Sequence, residues 1–369
     1  MSNSKLPPSL FRKKVFLAAI CAVLTGFQVA HATGVVVPSV LNEESVISAK
    51  ASKSVLLSIA RAGERIVAVG ERGIILLSDD GGKNWRQAKV PVNVTLTSVQ
   101  FVDASQGWAA GHLGVVLHTG DGGETWSKQL DGVAAAQSLL DYAKESPEVH
   151  DRDRAIKDAE LMLADGPDKP FLDICFIDEK SGFAVGAYGL FFKTTDGGQT
   201  WKPWVSHISN PSNLHLNSIS ATGGKLYVAG ESGLLLRSMD GGVTFENLVS
   251  PYEGSYFGVT AAKSGELVAF GLRGKAFWSN DDGSTWSPVD IKTDAAIAAG
   301  TELASGAILL VSQAGELFEN EPHINKFKRV DWRGAGSSSD IVEVSAGMLS
   351  IVGLHGVEKA MIGSSAVGQ

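Results

Sequence analysis

Five carboxylates recur in one setting along this chain: Asp80 in SDDGGKNW (78–85), Asp121 in TGDGGETW (119–126), Asp196 in TTDGGQTW (194–201), Asp240 in SMDGGVTF (238–245) and Asp281 in SNDDGSTW (279–286). Acidic loops of this kind could ligate calcium or a sugar. A calcium ion takes about six to eight oxygen ligands, however, and one carboxylate per loop falls far short of that. The pattern S/T-x-D-x-G-x-T-W/F suits a stapled hairpin better. Its carboxylate can accept hydrogen bonds from backbone N–H groups across the turn, and its glycine takes a positive φ without steric cost. The aromatic that follows, Trp85, Trp126, Trp201, Phe245 or Trp286, then opens the next strand and buries its ring between neighbouring sheets. All ten residues are read as structural.

The remaining reactive side chains are dispersed. His112, His118, His150, His207, His215, His323 and His355 fall in different units, without helix-turn ligand spacing or a nearby cysteine, so neither a metal site nor a cofactor is expected. Cys175 is the lone cysteine after the N-terminal segment, so no intrachain disulfide is expected to support the fold. Glycosidase chemistry needs a pair of carboxyl groups, and no pair is legible in the linear sequence, although acids from different units could meet in space.

What positions these residues is a repeat. A small residue followed by Gly three positions on occurs at Gly70, Gly111, Gly186, Gly230, Gly271, Ser312 and Gly353. The intervals are 41, 75, 44, 41, 41 and 41 residues, and the outlier is one period plus 34. This period is that of a four-stranded propeller blade. Units such as RIVAVGERGIILLS, GFAVGAYGLFFKT and KLYVAGESGLLLRS read as strand, tight turn, strand. Units six and seven keep that hairpin and lose the acidic box. The predicted fold is all-β, a seven-bladed propeller over residues 33–369. The seventh unit lacks an outer strand, and the apolar segment Gly34–Leu41 (GVVVPSVL) is predicted to supply it and close the ring.

The excess residues lie between blades two and three, as a helical insertion over 133–170. Two helices are predicted, about 133–145 and 148–164, with Pro147 near the second start, Gly166 past its end, and Leu139, Leu140, Ile156, Leu161 and Leu163 packing them down. In a propeller this connection opens on the same side as the hairpins between second and third strands. One face therefore gathers the insert and seven short turns whose side chains vary on a fixed glycine frame, the pattern of a binding face. Arg72, His112, Tyr188, Arg273 and His355 are the candidate partner-binding residues there.

The chain opens with Arg12, Lys13 and Lys14, an apolar run from Val15 to Phe27, and Ala30-His31-Ala32. That is a signal peptide over residues 1–32, cleaved near Ala32, which predicts a periplasmic or secreted protein that is not integral to the membrane. Residues 1–32 hold Lys5, Arg12, Lys13 and Lys14 and no acid, so their removal takes the net charge from -8 to -12. Nucleic acid and anionic lipid are poor partners for such a chain.

The acidic box is also the bacterial neuraminidase repeat, which makes sialidase the enzyme class to test. Sialidases are six-bladed and begin with an F/Y-R-I-P motif; here the one Phe-Arg step is Phe11-Arg12, in the signal peptide. VGERGIILLSDDGGKNW and VGAYGLFFKTTDGGQTW resemble instead the photosystem II stability and assembly factor family of plants and cyanobacteria and its relatives in non-photosynthetic bacteria. The resemblance covers nearly the whole mature chain. It implies a seven-bladed propeller without known catalysis that helps membrane complexes assemble from the lumenal or periplasmic side through an arginine-bearing face, with Arg72 and Arg273 in the corresponding turns. The expectation is a non-catalytic periplasmic binding or assembly factor that docks one propeller face on a membrane-associated protein complex, an exporter being one candidate client. The alternative is a carbohydrate-active enzyme or lectin of sialidase-like repeat type.

Overall fold

A computed structural model describes residues 37–332, 334 and 336–362; the predicted signal peptide lies outside them. Among the described residues seven antiparallel sheets follow one another along the chain, six of four strands and the last of three, and in each the spatial order of strands is the chain order. Blade one runs through Leu56–Ala62, Arg65–Gly70, Ile75–Ser78 and Arg86–Gln87. Second strands such as Gly107–Gly111 and Ile308–Ser312 are buried at every residue. Their apolar runs do not alternate because a sheet lies against each of their faces.

The hydrophobic core is divided among the seams between blades. Each boxed aromatic wedges against the preceding blade: Trp126 with Leu77, Trp201 with Trp108, Phe245 with Phe183 and Trp85 with Val344. The two glycines of the repeat have different causes. A Cβ on Gly70 would lie 2.1 Å from the carbonyl oxygen of Val55, so the first glycine answers to close backbone approach. Gly73 has φ +70° and also faces Val92 O at 2.2 Å, so the second answers to both conformation and space.

Among the described residues, the predicted N-terminal strand does not close the ring. Within Gly34–Leu41, residues 34–36 lie outside the described residues, and Ser39–Leu41 is a 3₁₀ turn. Burial explains the difference: Leu41 is drawn into the seam between blades one and two, beside Val69, Val92, Leu96 and Val115, and Asn93 N donates to Val40 O at 2.8 Å. Among the described residues the last blade has three strands, Ser338–Ser345, Met348–Gly353 and Gly356–Met361. Ala51, at the head of the turn Ala51–Lys53, packs in the seam between blades seven and one with Leu56 and Val352.

The insertion forms two helices, α1 (Gly132–Glu145) and α2 (Arg152–Asp165). Asp131 and Asp151 cap them by accepting from Ala134 N at 3.1 Å and Arg154 N at 3.3 Å, and Gly166 ends α2 with φ 85°. Leu140 is buried and Leu139 and Met162 pack on the seam of blades two and three, whereas Leu161 remains 54% exposed.

Candidate functional site

The turns Glu71–Gly73, His112–Gly114, Ala187–Gly189, Glu231–Gly233 and Leu272–Gly274 share one geometry. Their middle residues, Arg72, Leu113, Tyr188, Ser232 and Arg273, all adopt left-handed backbone with φ between 51° and 55°. Side chains other than glycine are uncommon there, and each costs roughly 1–2 kcal/mol. The surrounding frame imposes this conformation on each of the five blades; it holds Arg72, Tyr188, Ser232 and Arg273 out from the turn, whereas Leu113 packs on the seam of blades one and two. The preceding acid points inward: Glu71 Oε1 accepts from Val55 N at 3.1 Å and Glu231 Oε2 from His215 N at 2.9 Å.

Arg72, His112, Tyr188, Arg273 and His355 are exposed, one per blade on five blades, and they do not converge in one pocket. Tyr188 lines a groove of about 640 Å³ between the insert and the Val205–Asn213 connection. Lys169 Nζ lies 5.1 Å above its ring and the His215 ring packs 4.9 Å away. Arg273 borders a separate hollow of about 790 Å³ on blade five, with Tyr252 and Lys275. Among the described residues, neither Arg72 nor Arg273 has an ion-pair partner. Lys169 and the Val205–Asn213 wall carried no signal in the sequence.

The acidic boxes are saturated. Asp240 accepts from Ser238 Oγ at 2.7 Å, Val243 N and Thr244 N at 3.0 Å, and Thr244 Oγ1 at 2.6 Å. In the first box Asn84 replaces the threonine and donates Nδ2 to Asp80 Oδ2 at 2.7 Å. The Asn84 backbone and amide N–H groups, with smaller help from Ser78 and Lys83, hold the Asp80 carboxyl down to about 2. Asp240→Ala is expected to cost about 2 kcal/mol in urea unfolding, as it removes a charged acceptor from a partly solvated turn; a loss under ~0.5 kcal/mol would show that water replaces the staple.

Two further acids stand on the inner strands that surround the axis. Each inner strand carries a bulge near its start, and the residues just past it are Ser58, Ser98, Asp173, Ser218, Gly258, Ala299 and Asp340. Asp340 accepts from Ser58 Oγ and Ile59 N at 2.9 Å and from Ile341 N at 2.8 Å. Asp173 accepts from Ser98 Oγ at 2.7 Å and from Ile174 N and Ile219 N at 2.9 Å. Ser58 Oγ accepts in turn from Val99 N at 3.3 Å, so a polar belt runs from blade seven through blade four. Burial raises both carboxyls, Asp340 to about 6, where the charge of Asp173 across the axis adds to the effect. Burial, with the neighbouring Asp173 charge, also pushes the Cys175 thiol up to about 12, which leaves it unreactive. Aligning the inner strands of the units places the two acids in register with three serines, and that was the overlooked signal.

The chemistry available follows from this inventory. The two acids of the inner strands already accept three protein hydrogen bonds each, and no arginine joins them in those bonds. The free groups lie instead on the turn face, spread over a surface suited to a macromolecule.

Comparison with known proteins places this geometry in a family. The family model described as photosynthesis system II assembly factor YCF48 matches residues 51–135 and 159–335. The photosystem II assembly lipoprotein Ycf48 of Synechococcus sp. (strain CC9902) is 29% identical over 150 residues, which span 40% of this chain and 45% of that one. The solved structure titled YCF48 bound to D1 peptide is similar with TM-score 0.62 and 16% identity, over 87% of this chain and 97% of that one. A virginiamycin B lyase from Staphylococcus aureus is equally similar in fold, TM-score 0.63 at 10% identity over 87% and 99% of the two chains, so the ring by itself does not separate enzyme from binding protein. With the family model matched on both sides of the insert and through six of the seven blades, the chain belongs to the YCF48 family of photosystem II assembly factors.

Proposed function

We propose that the protein is an exported, non-catalytic binding or assembly factor that presents the turn face of its propeller to a membrane-associated protein complex. The observation that carries this reading is the set of exposed residues held out by a repeated left-handed turn, two of them arginines without an ion-pair partner among the described residues, on the face that also bears the insert. Family membership supports it, since the similar proteins are named as photosystem II assembly factors. A rigid ring loses little entropy on docking. The N-terminal sequence supports export, and an exporter in the cell envelope is the client class we would test first. A sialidase-like enzyme would need free acids at the axis, whereas Asp173 and Asp340 are bound up by their neighbours.

The test is affinity purification after crosslinking in the native host, comparing wild type with Arg72→Glu/Arg273→Glu and with a chain lacking residues 133–166. A membrane protein recovered with wild type and depleted at least tenfold with the arginine variant is expected. Equal recovery with every variant would refute the docking face.

A further inference from the structure

The family match breaks across residues 136–158, most of the insert. The insert packs against blade three and forms a groove with it, whose lining from Leu139 to Asp158 falls in that break and whose lining from Ala159 onward falls in the matched part. From it we infer that the groove of about 640 Å³ is a docking site for a peptide segment of a partner protein, one that carries a row of aliphatic or aromatic side chains flanked by Lys or Arg. The inference rests on the reading that the turn face is the docking face.

The shape comes first. The groove is lined from Val149, ahead of α2, to Lys169 beyond its end, and a helix of 14 residues is about 21 Å long. A space that long accepts a row of side chains rather than one compact small molecule. Its walls are mainly apolar, and two large apolar groups stand open there, Leu161 at 54% and Tyr188 at 56% exposure. The same surface would be costly to leave wet unless something covers it.

Charge then selects the occupant. Asp151, Asp158 and Asp165 line the groove at intervals of seven residues, two turns apart, so they form one acidic rail along α2. Arg154 meets Asp158 at 3.6 Å and Lys169 meets Asp165 at 3.3 Å, both pairs open to solvent on the acid side, where ion pairs are weak and exchange readily. Three acids against Lys169 and Arg154 leave the rail net negative, which favours a basic flank.

The walls are braced before anything binds. Arg154 Nη2 donates to Pro211 O at 3.1 Å across the groove, and Glu148 accepts from Tyr142 Oη at 2.9 Å while meeting His207 at 3.3 Å. Trp204 stacks on His207 with centroids 3.6 Å apart, and its Nε1 donates to Gly242 O at 2.8 Å, which ties the far wall to blade four. A groove built this way does not have to be opened by its ligand.

The test titrates the full mature chain with three labelled synthetic 14-residue peptides: a leucine stripe with lysine flanks, the same stripe with glutamate flanks, and the lysine peptide with serine in place of leucine. The Leu/Lys peptide is expected to bind at least tenfold more tightly than the other two. Leu161→Glu and Tyr188→Ala, both at exposed positions, should each weaken it at least tenfold without shifting the unfolding midpoint, and Asp158→Lys/Asp165→Lys should reverse the preference toward the glutamate peptide. Equal binding of the leucine and serine peptides, or binding indifferent to Leu161→Glu and Tyr188→Ala, overturns the inference. If the arginine variant loses its crosslinked client while no peptide binds selectively, the docking face stands and the groove fails; selective peptide binding with no client lost from any variant means that the groove stands and the docking face fails.

Discussion

Raising the pH from about 4 to 7 should destabilise the wild-type protein by up to about 3 kcal/mol, and Asp340→Asn should remove most of that slope. The sign follows from linkage. Asp340 has its carboxyl raised to about 6 in the folded ring by burial and by Asp173 opposite, against about 3.9 in an unfolded chain. Between those values the folded state holds a proton that the unfolded state has released, so stability is fully present below about pH 4 and is lost as pH climbs through 6. Asp173 is raised as well, chiefly by burial, and adds to the fall. Both residues keep partial exposure, and solvent screening discounts each contribution; about 3 kcal/mol is the full Asp340 shift before that discount. The depressed carboxyls of the acidic boxes oppose this trend at lower pH, since Asp80, held to about 2, loses its contribution as pH drops below 4. Urea unfolding of wild type and Asp340→Asn across this range measures the difference directly. Parallel profiles would mean that the belt of Ser58, Asp340 and Ile59 leaves this carboxyl titrating as in an open chain.

Three glycine substitutions should separate sterics from backbone conformation, and the largest loss should fall on Gly73→Ala. Gly241 has φ 71° with nothing within 4 Å of where a Cβ would sit, so Gly241→Ala carries only the left-handed penalty of about 1 kcal/mol. Gly70 is extended, but its Cβ would meet Val55 O at 2.1 Å, and Gly70→Ala must push strands apart at about 3 kcal/mol. Gly73 combines φ +70° with Val92 O at 2.2 Å, and its replacement is expected to cost ~4 kcal/mol or more, enough to deplete folded protein. Chemical denaturation and soluble yield read the series. A loss at Gly73 no greater than at Gly241 would show that the neighbouring loop yields freely and that the turn frame is soft. That outcome would also weaken the docking argument, because a soft frame would not hold Arg72 outward.

The insert shows how position decides the use of ordinary residues. DRDRAIKDAE reads as a solvated helix with alternating charge, and most of α2 is indeed exposed. Only its placement against blade three turns Asp151, Asp158 and Asp165 into a rail beside Leu161 and Tyr188.

The amino-acid sequence by itself determined the number of blades, the boxes and the place and helical nature of the insert. These depend on local chemistry that repeats at fixed spacing: a glycine where backbone crowds backbone, an aspartate within reach of its own turn, an apolar run for a strand covered on both faces. The tertiary structure alone decided how the ring closes, where the free charges lie and which acids feel one another's charge. Val37–Leu41 has the composition of a strand, yet the deepest apolar site within its reach is the seam at Val69 and Leu96, and burial outweighs strand propensity. Asp173 and Asp340 are 167 residues apart in the chain and share a field only because seven inner strands converge on one axis. Contacts between distant residues depend on how the whole chain closes, and no local pattern of residue types encodes that closure.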